Sequence, residues 1–382
     1  MMRQHFLIKR RVLVLVGLLA YVGAALLCTG RATGQIGGFQ IQDSLQLLGI
    51  TRSDEVALVD LNGDGNLDAV VQDNEYAPSQ IWLNNGNGLL NDGGRIGAQY
   101  EGLPLFGDVD GDGDPDAVSR VIRLNDGRGN FSLLRTNDDD FFPLVANRRA
   151  RTLGDLDGDG DLDYVSETAV WLNDGSGTFR RTTQEFDGAA GALALGDLDG
   201  DGDRDLVVLN GVGNELAIWW NNGSAAFVRR SSVGTSNFSS DVVLGDLDGD
   251  GNLDALTSGY FGNSLIHWNN GAGEFSRSTV LTNGPRVKQS ALGDLDGNGV
   301  LDIVMAVEGS DLAWRNLGNQ RFELAWSSTQ ADNSWGVALG DLNADGSLDA
   351  VFANMGSFFT PGGGPIGSIL TILPGPLRRR HG

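Results

Sequence analysis

The stretch Asp155-Leu156-Asp157-Gly158-Asp159-Gly160-Asp161-Leu162-Asp163 puts an oxygen-bearing side chain at every second position and a glycine at the sixth. The same nine-residue loop occurs seven times. Positions 1, 3, 5, 7 and 9 read Asp60, Asn62, Asp64, Asn66, Asp68 in the first copy and Asp108, Asp110, Asp112, Asp114, Asp116 in the second. The third reads Asp155, Asp157, Asp159, Asp161, Asp163 and the fourth Asp197, Asp199, Asp201, Asp203, Asp205. The fifth reads Asp246, Asp248, Asp250, Asn252, Asp254 and the sixth Asp294, Asp296, Asn298, Val300, Asp302. The seventh reads Asp341, Asn343, Asp345, Ser347, Asp349. Successive first positions lie 48, 47, 42, 49, 48 and 47 residues apart. A fixed period of this size marks a repeat architecture.

The loop chemistry points to Ca2+, with about seven sites expected. Calcium takes about 6–8 hard oxygen ligands, and alternate residues of a tight turn deliver them from one concave side. Position 7 accepts Val300 as readily as Asp161, so its backbone carbonyl is the expected ligand there. The sixth-position glycines, such as Gly160, suit a turn residue at positive φ. Twenty-five of the 50 acidic residues stand at positions 1, 3, 5 and 9. Anions packed this densely repel one another without a counter-ion, so metal binding is expected to contribute folding free energy. Loops one, six and seven carry one carboxylate fewer and are expected to bind most weakly. Solvated acidic turns are the plain alternative for any single loop.

Each repeat has a common plan. An apolar stretch leads into the loop (Val56–Val59, Ala192–Leu195, Val242–Leu244, Val337–Leu339) and another leaves it (Ala69–Val71, Leu206–Leu209, Ile303–Ala306). A third stretch ends in Asn, as in Ile81–Asn84 and Ile218–Asn221. Asn-Gly or Asp-Gly follows, as at Asn222-Gly223, and a fourth stretch opens near a Phe such as Phe227. Short β-favouring runs separated by such turns predict antiparallel hairpins. Four strands per 47-residue unit predict an all-β, seven-bladed β-propeller of four-stranded antiparallel blades, with a calcium loop in each blade. The N-terminal segment around Gly37-Gly38-Phe39 is expected to complete the last blade, with Leu377–Arg380 as the rival for that place.

These loops and their spacing resemble the FG-GAP/VCBS family, the calcium-loop blades of integrin alpha-subunit propellers and of many bacterial exported proteins. The resemblance covers residues 37–377. It implies a propeller that binds ligands through loops on one face.

Residues 1–34 are expected to form an export signal: a basic start at Arg3, Lys9, Arg10 and Arg11, the apolar run Val12–Leu27, and small residues at Ala32-Thr33-Gly34. Retention as an anchor, or lipidation at Cys28, are the alternatives. Residues 35–377 form the expected propeller and 378–382 a basic tail. The protein is thus expected to be secreted or at the cell surface, without membrane insertion of the mature chain, and monomeric. The mature chain carries 22 basic and 50 acidic residues. That balance argues against nucleic acid as a partner. Cys28 is the only cysteine, so metal rather than a disulfide is the expected staple.

The expected function is adhesion or recognition of an extracellular glycan or protein ligand, without catalysis. Candidate contact loops carry aromatics: Glu75-Tyr76, Gly97–Glu101 with Tyr100, Asn137–Phe142, Gly259-Tyr260-Phe261 and Ser334-Trp335. Packing between blades is the plainer role for each. The Trp residues at 82, 171, 219, 220, 268 and 314 are expected in the inter-blade core. A polysaccharide lyase or glycosidase, or a scaffold for a surface complex, are the alternatives. Only His267 and His381 remain in the mature chain, and no zinc or serine-hydrolase motif is present.

Overall fold

The computed structural model describes residues 32–36, 39–46, 53–73, 77–99, 101–134, 150–166, 168–186, 190–210, 214–236, 238–328, 333–355 and 370–373. The tail Arg378–His381, most of the expected leader, and the candidate loops at Tyr76, Tyr100 and Asn137–Phe142 lie outside them. All regular structure among the described residues is β. Six four-stranded antiparallel blades span 53–96, 105–133, 151–185, 190–234, 239–282 and 287–327, each with its strands in chain order.

The expectation of seven four-stranded blades is corrected here. Six sheets are four-stranded blades, and the sheet that joins the two chain ends has five strands. Its order is Ala32–Ile36, Phe39–Gln46, Leu370–Leu373, Asp349–Asn354, Ser334–Gly340. The N-terminal strand Phe39–Gln46 pairs with Leu370–Leu373, and Ala32–Ile36 pairs with it in turn, Ile36 opposite Phe39. Gly37-Gly38 separates the two in sequence, a dipeptide suited to a two-residue hairpin. The segment therefore supplies two strands where one was expected. The expected leader boundary at Gly34 falls inside the outer one.

Burial follows position in the blade. Second strands, covered on both faces by neighbouring blades, read as continuous apolar runs: Asp302–Val307 is buried at every residue. Fourth strands lie at the rim, and Val228–Gly234, with Arg229, Arg230, Ser231 and Ser232, is almost wholly exposed. Apolar clusters are shared by consecutive sheets. Val165 and Val170 of the third blade pack with Val208 and Trp219 of the fourth. Val56, Val71 and Trp82 of the first blade pack with Leu342, Val351 and Ala353 of the closing sheet, which completes the ring. Trp82, Trp171, Trp219 and Trp268 are buried as expected, while Trp220 and Trp314 are only half-buried.

A polar belt runs through these contacts. The Asn that ends each third strand donates its side-chain N–H to the carbonyl of loop position 2 in the preceding sheet. The pairs are Asn84 to Leu342 (2.7 Å), Asn125 to Leu61 (2.9 Å), Asn173 to Val109 (2.8 Å), Asn221 to Leu156 (2.7 Å), Asn269 to Leu198 (2.8 Å) and Asn316 to Leu247 (2.8 Å). Close packing accompanies the belt. A methyl group on Gly196 would lie 2.5 Å from Leu253 of the next blade, and one on Gly293 2.5 Å from Leu348. The residue before the loop is Gly in every copy but the first, where Val59 stands.

Two outcomes follow from this packing. Asn269→Ala leaves the buried Leu198 carbonyl without its donor, and urea unfolding should show a loss of about 1–3 kcal/mol. His267 is fully buried between Thr257 Oγ1 (3.0 Å from Nε2) and Ser278 Oγ (2.7 Å from Nδ1), and burial pushes its imidazole down to about 4. A histidine held neutral contributes its stability above its unfolded value near 6.5 and loses it as pH falls towards 4. In chelator, the chain should lose about 3 kcal/mol across that window relative to His267→Gln, followed by thermal unfolding at each pH.

Candidate metal centres and the opposite face

Each acidic loop joins the first and second strands of its sheet, so all lie on one end of the ring with the turns between strands three and four. The loop backbone is wound around its own carboxylates. Asp108 accepts from Gly111 N–H (2.8 Å) on one oxygen and Gly113 N–H (2.9 Å) on the other. Asp110 accepts from Asp112 N–H (3.3 Å), and Asp112 from Asp114 N–H (3.0 Å). The sixth-position glycine has φ of 96° at Gly160, with nothing within 4 Å of a Cβ there. The backbone conformation, not space, calls for glycine at that place.

Position 9 is buried in every loop. Its carboxylate accepts from the loop N–H at position 2 and, in the six blades, from the N–H of the strand-three Asn. For Asp254 these are Leu247 (3.1 Å) and Asn269 (2.9 Å). Burial pushes these carboxyls up, to about 6 in Asp163, Asp205 and Asp302 and about 7 in Asp254. The backbone hydrogen bonds oppose the shift, and neighbouring loop carboxylates add to it. Burial likewise raises Asp110, Asp157 and Asp199 at position 3, with the position-5 carboxylate as the next cause.

Carboxylate oxygens converge in five loops to within 4.8 Å of one another: Asp108, Asp110 and Asp116; Asp155, Asp157 and Asp163; Asp197, Asp199 and Asp205; Asp246, Asp248 and Asp250; Asp294, Asp296 and Asp302. Calcium–oxygen distances of about 2.3–2.6 Å fit a cation inside such a cluster, and the all-oxygen donor set is that of a hard ion. Loops one and seven bring only Asp to the same places at positions 1, 5 and 9, because Asn62 and Asn343 stand at position 3. Side chains at position 7 lie against the turn of their own blade. A methyl group on Gly127 would sit 2.5 Å from the Asp114 carboxylate, and Gly175 and Gly223 face Asp161 and Asp203 in the same way. That placement agrees with a carbonyl rather than a side-chain role for position 7, and it explains the glycine of the Asp-Gly and Asn-Gly turns.

Two loops differ in a way the sequence did not disclose. In the sixth, Arg315 Nε lies 2.7 Å from Asp296 Oδ2. The equivalent residues in the first three blades are Leu83, Leu124 and Leu172. In the fifth, Gln320 of the next blade donates to Asp248 Oδ2 at 2.6 Å.

Strand two-to-three and strand four-to-one connections occupy the other end of the ring. There the structure brings together two of the candidate aromatic loops. Tyr260 and Phe261 have ring centroids 4.3 Å apart, and Phe238 meets Phe261 edge-on at 5.6 Å. Phe238 is 60% and Phe261 55% exposed. Lys288 Nζ lies 3.7 Å from the centroids of both Tyr260 and Trp335, and Arg286 is 4.9 Å from that of Phe261. Glu308 accepts from Tyr260 Oη (3.1 Å) and Arg286 Nη1 (3.1 Å) and lies 3.9 Å from Lys288 Nζ. Phe238, Arg286, Lys288 and Glu308 were missed from sequence. One signal was available: Lys288 is the only lysine beyond Lys9.

An FG-GAP-like repeat model matches residues 37–119, 155–208, 197–257 and 294–352, more than half of the chain. No curated protein matches. Among solved structures, an Agrocybe aegerita lectin described as specifically recognising non-reducing terminal N-acetylglucosamine is 22% identical, with TM-score 0.56 over 81% of this chain and 87% of its own. BBS1N, solved in complex with ARL6DN, is 12% identical, with TM-score 0.55 over 86% of this chain and 93% of its own. These likenesses carry the fold.

Replacing Arg315 by Leu removes the guanidinium that competes for Asp296. Calorimetric titration with Ca2+ should then show the sixth loop binding about tenfold more tightly than in the parent chain. An unchanged isotherm would mean that Arg315 leaves the metal position alone.

Proposed function

Because the chain belongs to the FG-GAP-like repeat family, we propose that it is a calcium-stapled recognition module of an exported protein, taking a glycan or protein ligand on the face opposite its acidic loops. Positions 1, 3, 5 and 9 would supply side-chain oxygens to calcium in each loop, and position 7 its carbonyl. The observation that carries the recognition reading is the exposed Phe238–Phe261 pair beside Tyr260 and Arg286. Soluble domains rarely leave such rings bare and adjacent without a use for them, and aromatic faces suit sugars and protein anchors alike. Calcium would act at a distance from this surface, by neutralising the loops and holding the ring closed. Export agrees with a leader-like start, with a chain whose only cysteine lies in that leader, and with a metal in the stapling role.

The test is a glycan and matrix-protein array probed with the chain in millimolar Ca2+ and again in chelator. Calcium-dependent capture that Phe261→Ala abolishes is the expected result. A folded sample that captures nothing in either condition would overturn the recognition reading.

A further inference from the structure

The aromatic cluster has a polarity that narrows its ligand. We propose that it is a subsite for an acidic saccharide, binding a hexuronate unit with its ring on Phe238 and Phe261 and its carboxylate on Arg286; this rests on the recognition reading above.

Phe238 is held at φ 53°, a region that bulky residues avoid. Its N–H donates to Asn214 Oδ1 (3.1 Å), and its carbonyl accepts from Tyr260 N–H (3.1 Å). A strained backbone that presents a 60% exposed ring is held there against both sterics and solvent, a pattern that belongs to binding sites.

Arg286 gives the site its charge preference. Its side chain is 48% exposed, and both of its hydrogen bonds to Glu308 leave from Nη1. Neither Nη2 nor Nε donates to Glu308, and a guanidinium fork of this kind, packed beside the Phe261 ring (4.9 Å), matches a carboxylate in bidentate fashion. Arg286 and Lys288 both lie beside the Glu308 carboxylate, and Arg286 is the cation exposed next to the rings, on a chain of net charge −23. Size favours a sugar over a protein. The other exposed large hydrophobics among the described residues are Leu89, Leu133, Val228, Val280, Leu317 and Leu324. They lie on rim strands and on the acidic-loop side. The bare apolar area here is two rings, which fits one or two pyranose units rather than the buried core of a protein interface.

The experiment compares tri-galacturonate with its methyl ester, which has the same ring and no charge, in calorimetry with the full chain and Ca2+. The acid should bind about tenfold more tightly than the ester. Arg286→Gln should erase that difference by weakening the acid to the level of the ester, and Phe261→Ala should weaken both. Equal binding of acid and ester would overturn the acidic-saccharide assignment and leave the glycan reading standing. Binding of neither, with a protein captured on the array, would overturn the assignment and direct the site to protein ligands. Acid selectivity that survives in Arg286→Gln would place the anion elsewhere and also overturn it.

Discussion

The buried carboxylate at loop position 9 is the joint on which the ring is assembled. It takes one backbone N–H from its own loop and one from the end of the third strand, so a single side chain fixes the first, second and third strands of a blade to one point. A carboxylate without water around it is costly unless hydrogen-bonded, and two amides supply much of that compensation. The neighbouring Asn side chain then carries the connection to the preceding sheet. Loop geometry, blade geometry and ring closure thus share one set of polar atoms, and a metal bound among the loop oxygens would tighten all three at once.

The same design separates charge by face. Every acidic loop is delivered to one end of the ring, because each joins the same two strands. The opposite end is free to carry cations beside bare rings, as it does at Arg286, Lys288 and Phe261. A chain this acidic can therefore present cations at one end of the ring, away from its acidic loops.

Much of this was legible in the sequence. The loops, their period and the four apolar stretches per repeat gave the blades, since glycine at position 6 and Asn-Gly turns have few other uses. What stayed hidden depends on contacts between distant residues. Asn221 reads locally as the start of a turn, yet its amide reaches Leu156, 65 positions away. Gly196 reads as loop flexibility, but it is the socket for Leu253 of the next blade. The second N-terminal strand stays hidden because Gly37-Gly38 in sequence suits a continuous strand as well as a break between two. Arg315 and Phe238 were invisible because neither breaks a local rule until its neighbours are placed.

Among the described residues the belt of Asn side chains has six links. Among the described residues no such donor reaches the Leu295 carbonyl of the sixth blade. Leu295 is 8% exposed, where its counterparts in the other loops are 0 or 1%. The ring is thus a bracelet with a clasp, and the clasp sits beside the only sheet woven from both ends of the chain. Breathing motions, exchange of amide protons with solvent and yielding under a pull on either terminus should all begin at that link, while the rest of the circle remains shut.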